Sequence, residues 1–102
     1  LFLAVAVGRA QVQQEPWAEA REGTSINITC SHLDVTANSI QWYQQRPHQP
    51  PQLITRGFGS GEQAVPEPAG TLLIATDRRS SALRLSRPRW RDAAVYYCAV
   101  SD

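Results

Sequence analysis

Polar and apolar residues alternate along most of the chain with a period of two, the period of a β-strand that buries one face. In Ser25-Ile26-Asn27-Ile28-Thr29-Cys30, Ile26, Ile28 and Cys30 share one face, while Asn27 and Thr29 point the other way. Ile40-Gln41-Trp42-Tyr43-Gln44-Gln45 predicts a second strand with Trp42 facing inward. It ends at the turn-forming Arg46-Pro47-His48-Gln49-Pro50-Pro51. Gln52-Leu53-Ile54-Thr55 predicts a short strand leading into a glycine-rich loop from Arg56 to Gly61. Residues 72–76 and 81–85 predict a hairpin joined at Asp77-Arg78-Arg79-Ser80, with Leu83 and Leu85 toward the core. Residues 86–92 predict a crossover turn, with Trp90 plugging the bottom of the core. In the last strand Ala94, Tyr96 and Cys98 share a face. Residues 11–16 predict an edge strand broken by Pro16. No helical period is sustained anywhere, so the expected class is all-β and antiparallel.

The N-terminus has a different pattern. Leu1-Phe2-Leu3-Ala4-Val5-Ala6-Val7 is continuously apolar and is followed by Gly8-Arg9-Ala10. Seven residues are far short of the ~20 that span a bilayer. Small residues at Gly8 and Ala10 suit the −3 and −1 positions of a signal-peptidase site. Residues 1–10 are therefore expected to be the tail of a secretory leader, with the mature domain at 11–102. The other reading of the run is a first β-strand. No second apolar segment follows, so any membrane anchor is expected to be encoded elsewhere.

The 102 residues suffice for one domain. The net charge is +1 and all ten basic residues are arginine, so no bulk charge favours nucleic acid or a membrane surface. The arginines between Arg78 and Arg91 are expected to form a solvated face. Cys30 and Cys98, the two cysteines, fit one structural bridge and match poorly with zinc, which wants about four closely spaced ligands. A bridge closing so long a loop restricts the unfolded chain by about 4 kcal/mol.

Candidate chemistry is sparse. His32 and His48 are the only imidazoles, and neither stands near a free nucleophile or a paired carboxylate, so catalysis is not expected. Neither a cofactor nor a metal ion is expected. Gly57, Gly59 and Gly61 alternate as in a phosphate cradle, but the lysine and the strand-to-helix context of such a loop are missing. Asn27-Ile28-Thr29 satisfies the N-glycosylation sequon, and alternation turns Asn27 to solvent.

Trp42 stands between the two cysteines, and Tyr96 lies two places before the second, in Asp92-Ala93-Ala94-Val95-Tyr96-Tyr97-Cys98. That framework is the signature of an immunoglobulin sandwich. The mature chain resembles a V-set immunoglobulin domain, and more narrowly a T-cell receptor alpha (or delta) variable segment. The residues that carry the likeness are Gln11-Val12-Gln13-Gln14-Glu15-Pro16, Ile28-Thr29-Cys30-Ser31, Trp42-Tyr43-Gln44-Gln45, Asp77-Arg78-Arg79-Ser80-Ser81-Ala82-Leu83 and the ending Tyr97-Cys98-Ala99-Val100. The stretch from Ile26 to His32 is similar to avian members. Trp42-Tyr43-Gln44-Gln45 and Pro51 also suit an antibody light-chain variable segment, and a non-rearranging V-set adhesion or inhibitory receptor is a further alternative.

The resemblance implies a two-sheet Greek-key sandwich with Cys30 bridged to Cys98 across the sheets and Trp42 packed on the bridge. It implies that the Tyr96 hydroxyl bonds the backbone of the corner below it. It also implies that the final strand, carrying Phe-Gly-x-Gly, comes from a joining segment. Phe58-Gly59-Ser60-Gly61 matches those letters but stands too early to serve. The family's arginine that pairs with the residue at Asp92 is missing near Gly70-Thr71-Leu72. Asp92 is thus expected to meet another arginine or to cap the turn through backbone N–H groups.

By the same likeness, Tyr43, Gln45, Pro51, Leu53 and Tyr97 would face a beta (or gamma) chain variable domain, with Gln45 bonded to its counterpart. Three loops would meet presented antigen, a peptide on an MHC molecule or another ligand. The first is Asp34-Val35-Thr36-Ala37-Asn38-Ser39. The second is Arg56-Gly57-Phe58-Gly59-Ser60-Gly61-Glu62, and the third starts at Ala99-Val100-Ser101-Asp102. Signalling would run through separate receptor subunits, and the domain would stand on the extracellular side of the plasma membrane.

Overall fold

Two sheets, each of five strands, face one another across a shared apolar layer. The computed structural model describes the backbone of residues 2–5, 13–14, 17–19, 22–32 and 38–101, and the side chains of 22–32 and 38–100. The strands are β1 (Phe2–Val5), β2 (Gln13–Gln14), β3 (Trp17–Glu19), β4 (Ile26–Ser31), β5 (Ser39–Gln45), β6 (Gln52–Phe58), β7 (Gly61–Val65), β8 (Gly70–Ile74), β9 (Ser80–Leu85) and β10 (Val95–Ser101). One sheet runs β3-β1-β10-β5-β6 and the other β2-β4-β9-β8-β7. This is the all-β class that the alternation predicted, in the two-sheet sandwich that the family resemblance implied.

The inward residues form the core. Ile28, Cys30, Ile40, Trp42, Leu72, Leu83, Leu85, Tyr96 and Cys98 are all buried. Cys30 and Cys98 are joined by a disulfide, with their Cα atoms 6.3 Å apart and 68 positions apart in sequence. Trp42 is the register partner of Cys98 on the neighbouring strand, so the indole sits beside the bridge. Because β4 and β10 lie in different sheets this one bond ties the sheets together, and the long loop it closes restricts the unfolded chain.

The corner beneath β10 is built by hydrogen bonds. The Tyr96 hydroxyl donates to the Asp92 carbonyl at 2.7 Å and accepts from Gln44 Nε2 at 2.9 Å. Burial pushes this phenol up to about 12; the Gln44 bond lowers it, the Asp92 charge raises it and Arg46 lowers it. A short 3₁₀ turn, Trp90–Asp92, precedes the strand. The Arg89 N–H donates to the Asp92 carboxylate at 2.9 Å, and the Asp92 N–H donates back to the Arg89 carbonyl at 2.8 Å. Of the two roles open to Asp92, the turn-capping one is therefore present.

Trp90 corrects the sequence reading. It was expected in the core and is 76% exposed. The reciprocal bonds between Arg89 and Asp92 fix a 3₁₀ turn, where strand alternation no longer sorts side chains. Pro88 and Asp92 turn inward, and Trp90 and Arg91 turn out. Pro88, two residues earlier, is the fully buried residue of this segment.

The N-terminal run Phe2–Val5 forms β1, parallel to β10 through Ala4↔Val95 and Val5↔Tyr96 and antiparallel to β3. The edge strand predicted at residues 11–16 is represented by β2, which pairs β4 in one sheet, while β3 beyond it joins the other.

Candidate functional site

Strand register gathers the predicted loops at one end. Ser39 pairs both Phe58 and Ser101, Ser31 pairs Ser80, and Ile74 pairs Gly61. The β4–β5 connection, the β6–β7 connection, the β8–β9 turn and the end of β10 therefore leave the sandwich from the same side. Asp34, Val35, Thr36 and Ala37 of the first predicted loop, and Asp102 of the third, lie outside the described residues. Asn38 is exposed, and Ser39 is buried as the first residue of β5.

The second predicted loop is shorter than expected. Arg56, Gly57 and Phe58 belong to β6, Gly61 and Glu62 belong to β7, and only Gly59 and Ser60 connect them. A strand at residues 61–65 was not foreseen, because Gly61-Glu62-Gln63-Ala64 is polar or small and offers no apolar alternation. The glycines have separate backbone reasons. Gly59 and Gly61 have φ of 70° and 113°, the left-handed conformations needed to cross between sheets. Gly57 instead faces the core, where a Cβ would stand 2.7 Å from Leu72 Cδ2 and 2.8 Å from Ile74 Cδ1. Glycine inside a strand signals such a close approach. Gln63 braces the crossover: its Nε2 donates to the Arg56 carbonyl at 2.7 Å and to Thr55 Oγ1 at 3.2 Å.

Ala99, Val100 and Ser101 continue β10 as an antiparallel partner of β5. Beside them, the β8–β9 turn reaches toward the first loop. Arg78, with φ of 58°, donates from Nη1 to Asn38 Oδ1 at 3.1 Å, and Asp77 Oδ1 accepts from the Arg79 N–H at 3.0 Å. Sequence reasoning missed this contact, since the pattern around Asp77 reads only as a hairpin turn.

The outer face of the β10-β5-β6 sheet carries the other predicted set. Tyr97, Tyr43 and Leu53 form one row across three neighbouring strands. A register shift between Trp42 and Tyr43 turns Leu53 outward while Ile54 packs against the core. Leu53 is 48% exposed, Pro51 is exposed, and the two tyrosines are half-buried. Phe58, 69% exposed, lies at the loop end of the same strand. Gln45 is already engaged within the chain: its Oε1 accepts from the Tyr97 hydroxyl at 2.8 Å, and its Nε2 donates to the Gln49 carbonyl at 3.1 Å.

The two histidines are far apart in the fold. His32 is fully buried, with its backbone N–H donating to the Arg79 carbonyl at 2.9 Å, and His48 is exposed in the β5–β6 turn. No group of three or more histidine, cysteine, aspartate or glutamate side chains converges among the described residues. No helix among them is long and apolar enough to cross a membrane.

The profile of the immunoglobulin V-set domain matches residues 13–102. The human protein "T cell receptor alpha variable 26-1" is 36% identical over 92 residues, covering 89% of this chain and 82% of that protein. Human "T cell receptor alpha variable 2" is 34% identical over 96 residues, covering 94% of this chain and 80% of that one. The human "Immunoglobulin iota chain" is also similar, 34% identical over 97 residues, covering 87% of this chain and 66% of the relative. Among solved structures, a chicken TCR chain superposes with a TM-score of 0.87 at 57% identity, covering 89% of this chain. The chain spans 46% of that solved chain's length.

Proposed function

The chain belongs to the immunoglobulin V-set family as a T cell receptor alpha variable-like domain, and from that premise we propose that it is the antigen-recognising half of a two-domain receptor. The family is not an enzymatic one, so the function is binding. The outer face of the β10-β5-β6 sheet packs on the variable domain of a beta (or gamma) chain. The loops at the Phe58 end then meet a presented ligand, a peptide on an MHC molecule or its equivalent. The domain works outside the cell, and signalling passes to separate subunits.

The observation that supports this reading best is the row Tyr97, Tyr43 and Leu53, which leaves apolar and aromatic surface half-open on the outer face of the sheet whose far end carries the convergent loops. Aromatic residues of this kind anchor interfaces, because they desolvate large areas at small entropic cost. Gln45 suits the role as well. Its amide retains one N–H and one oxygen lone pair beyond the bonds to Tyr97 and Gln49, enough for a reciprocal bond with a partner amide.

Co-expression with a beta-chain variable domain tests the reading. Leu53→Arg would place a charge in the apolar row, at its most exposed member, and the expected result is loss of heterodimer with the disulfide-bonded fold retained. Undiminished pairing by this variant would refute the assignment of the face.

A further inference from the structure

We propose that Asn27 is an occupied N-glycosylation site and that its oligosaccharide covers the outer face of the β4-β9-β8 layer, opposite the pairing face. Asn27 and Thr29, the acceptor and the hydroxyl residue of the sequon, are both exposed and project from the same side of β4. The register partner of Asn27 is Arg84, also exposed, so no apolar neighbour must be displaced to admit a sugar.

The local hydrogen bond leaves the correct atom available. Arg84 Nε donates to Asn27 Oδ1 at 3.2 Å, which occupies the amide oxygen and leaves Nδ2 for the sugar. The transfer requires a lipid-linked pyrophosphoryl oligosaccharide as donor, the co-substrate of the secretory pathway's oligosaccharyl transferase. Asn27 Nδ2 forms a bond to the anomeric carbon as the anomeric carbon–phosphate bond breaks. The nitrogen gives up one proton, and the lipid pyrophosphate leaves. The product amide keeps Oδ1, so the Arg84 bond survives in the modified domain.

A sequon inside a paired strand, three residues before a bridged cysteine, looks inaccessible, but the order of synthesis removes the obstacle. Among the described residues β2 pairs β4 at Cys30 and Ser31, and the ladder over Asn27 is made by β9. Arg84 lies 57 residues after Asn27. At ~5–20 residues per second its synthesis trails by roughly 3–11 s. Cys98, the partner of Cys30, comes later still. The sequon is thus extended and unpaired while it passes the transferase, and strand pairing follows.

The proposal rests on the extracellular reading, and one experiment separates the two. The full chain is expressed through the secretory pathway of animal cells and analysed by peptide mass mapping with and without peptide-N-glycosidase. The expected result is one oligosaccharide on Asn27, with Cys30 and Cys98 oxidised, and conversion of Asn27 to aspartate on digestion. The mass increment should vanish in Asn27→Gln and in Thr29→Ala, and persist in Thr29→Ser, which keeps the hydroxyl. Exported chain with an intact disulfide and a bare Asn27 would overturn the proposal while leaving the extracellular reading in place. Chain retained in the cell with both thiols reduced would overturn that reading, and the proposal with it.

Discussion

Replacing Tyr96 by phenylalanine isolates one oxygen atom that holds the lower corner of the sandwich together. The hydroxyl donates to the Asp92 carbonyl at 2.7 Å and accepts from Gln44 Nε2 at 2.9 Å, with all three residues buried. Deleting it removes two hydrogen bonds, each contributing about 0.5–1.5 kcal/mol net, and strands their former partners without water. The expected loss is about 2–3 kcal/mol. With a urea m-value of about 1–3 kcal/mol/M, the unfolding midpoint should fall by roughly 0.7–3 M at unchanged slope. The same hydroxyl gives an independent alkaline signature. Its pKa is raised from 10.0 to about 12 in the folded protein, first by burial and then by the Asp92 charge, against the lowering effects of Gln44 and Arg46. A group whose folded pKa is raised contributes stability that is fully present below its unfolded value. That stability is lost as pH climbs from 10 through about 12. Two units correspond to about 2.7 kcal/mol at ~1.36 kcal/mol each. The wild-type chain should therefore lose stability over that window, and the difference between wild type and Tyr96→Phe should close as it does. A variant with the wild-type midpoint at pH 7, or a difference that stays constant up to pH 12, would refute the reasoning.

Two further substitutions probe places where packing departs from a simple alternating strand. Gly57→Val would drive a side chain into Leu72 and Ile74, and about 1–3 kcal/mol of destabilisation is expected from overpacking. Calorimetry should show part of it recovered by adding Leu72→Ala, and no coupling between the two would contradict the close approach. Trp90→Ser should change stability by less than ~0.5 kcal/mol, since the indole lies in solvent. A loss of several kcal/mol on thermal unfolding would return Trp90 to the core.

The architecture was legible in the sequence because most strands of the core bury one face. β5, buried on both at its loop end, still keeps polar residues opposite Ile40 and Trp42. Ile28 and Cys30, Trp42, Leu83 and Leu85, and Tyr96 and Cys98 all alternate with outward residues, so a period of two both identifies the strands and sorts their faces. The outward tyrosines Tyr43 and Tyr97 follow from the same arithmetic, whereas Leu53 faces out because of the register shift in β6. The arithmetic fails where the chain leaves the ladder. Trp90 sits in a 3₁₀ turn organised by Arg89 and Asp92, whose bonds follow backbone geometry and not apolar spacing. The span from Arg56 to Glu62 read as a loop because its three glycines looked alike. Two of them provide positive φ at a sheet crossover, and the third yields space to Leu72 and Ile74. Those are tertiary demands, and a lone sequence does not distinguish them. The Arg78–Asn38 contact bridges 40 positions and has no local signal at all.

Oxidative side-chain footprinting of the assembled receptor, free and with presented ligand, tests the division of the surface most directly. Pairing with the partner domain should protect Tyr43, Leu53 and Tyr97, and ligand should then protect Phe58 at the loop end. Leu73, on the opposite sheet, should react alike in both states. Protection of Leu73 by the partner, with Tyr43 and Leu53 still reactive, would mean that the wrong face has been assigned to pairing.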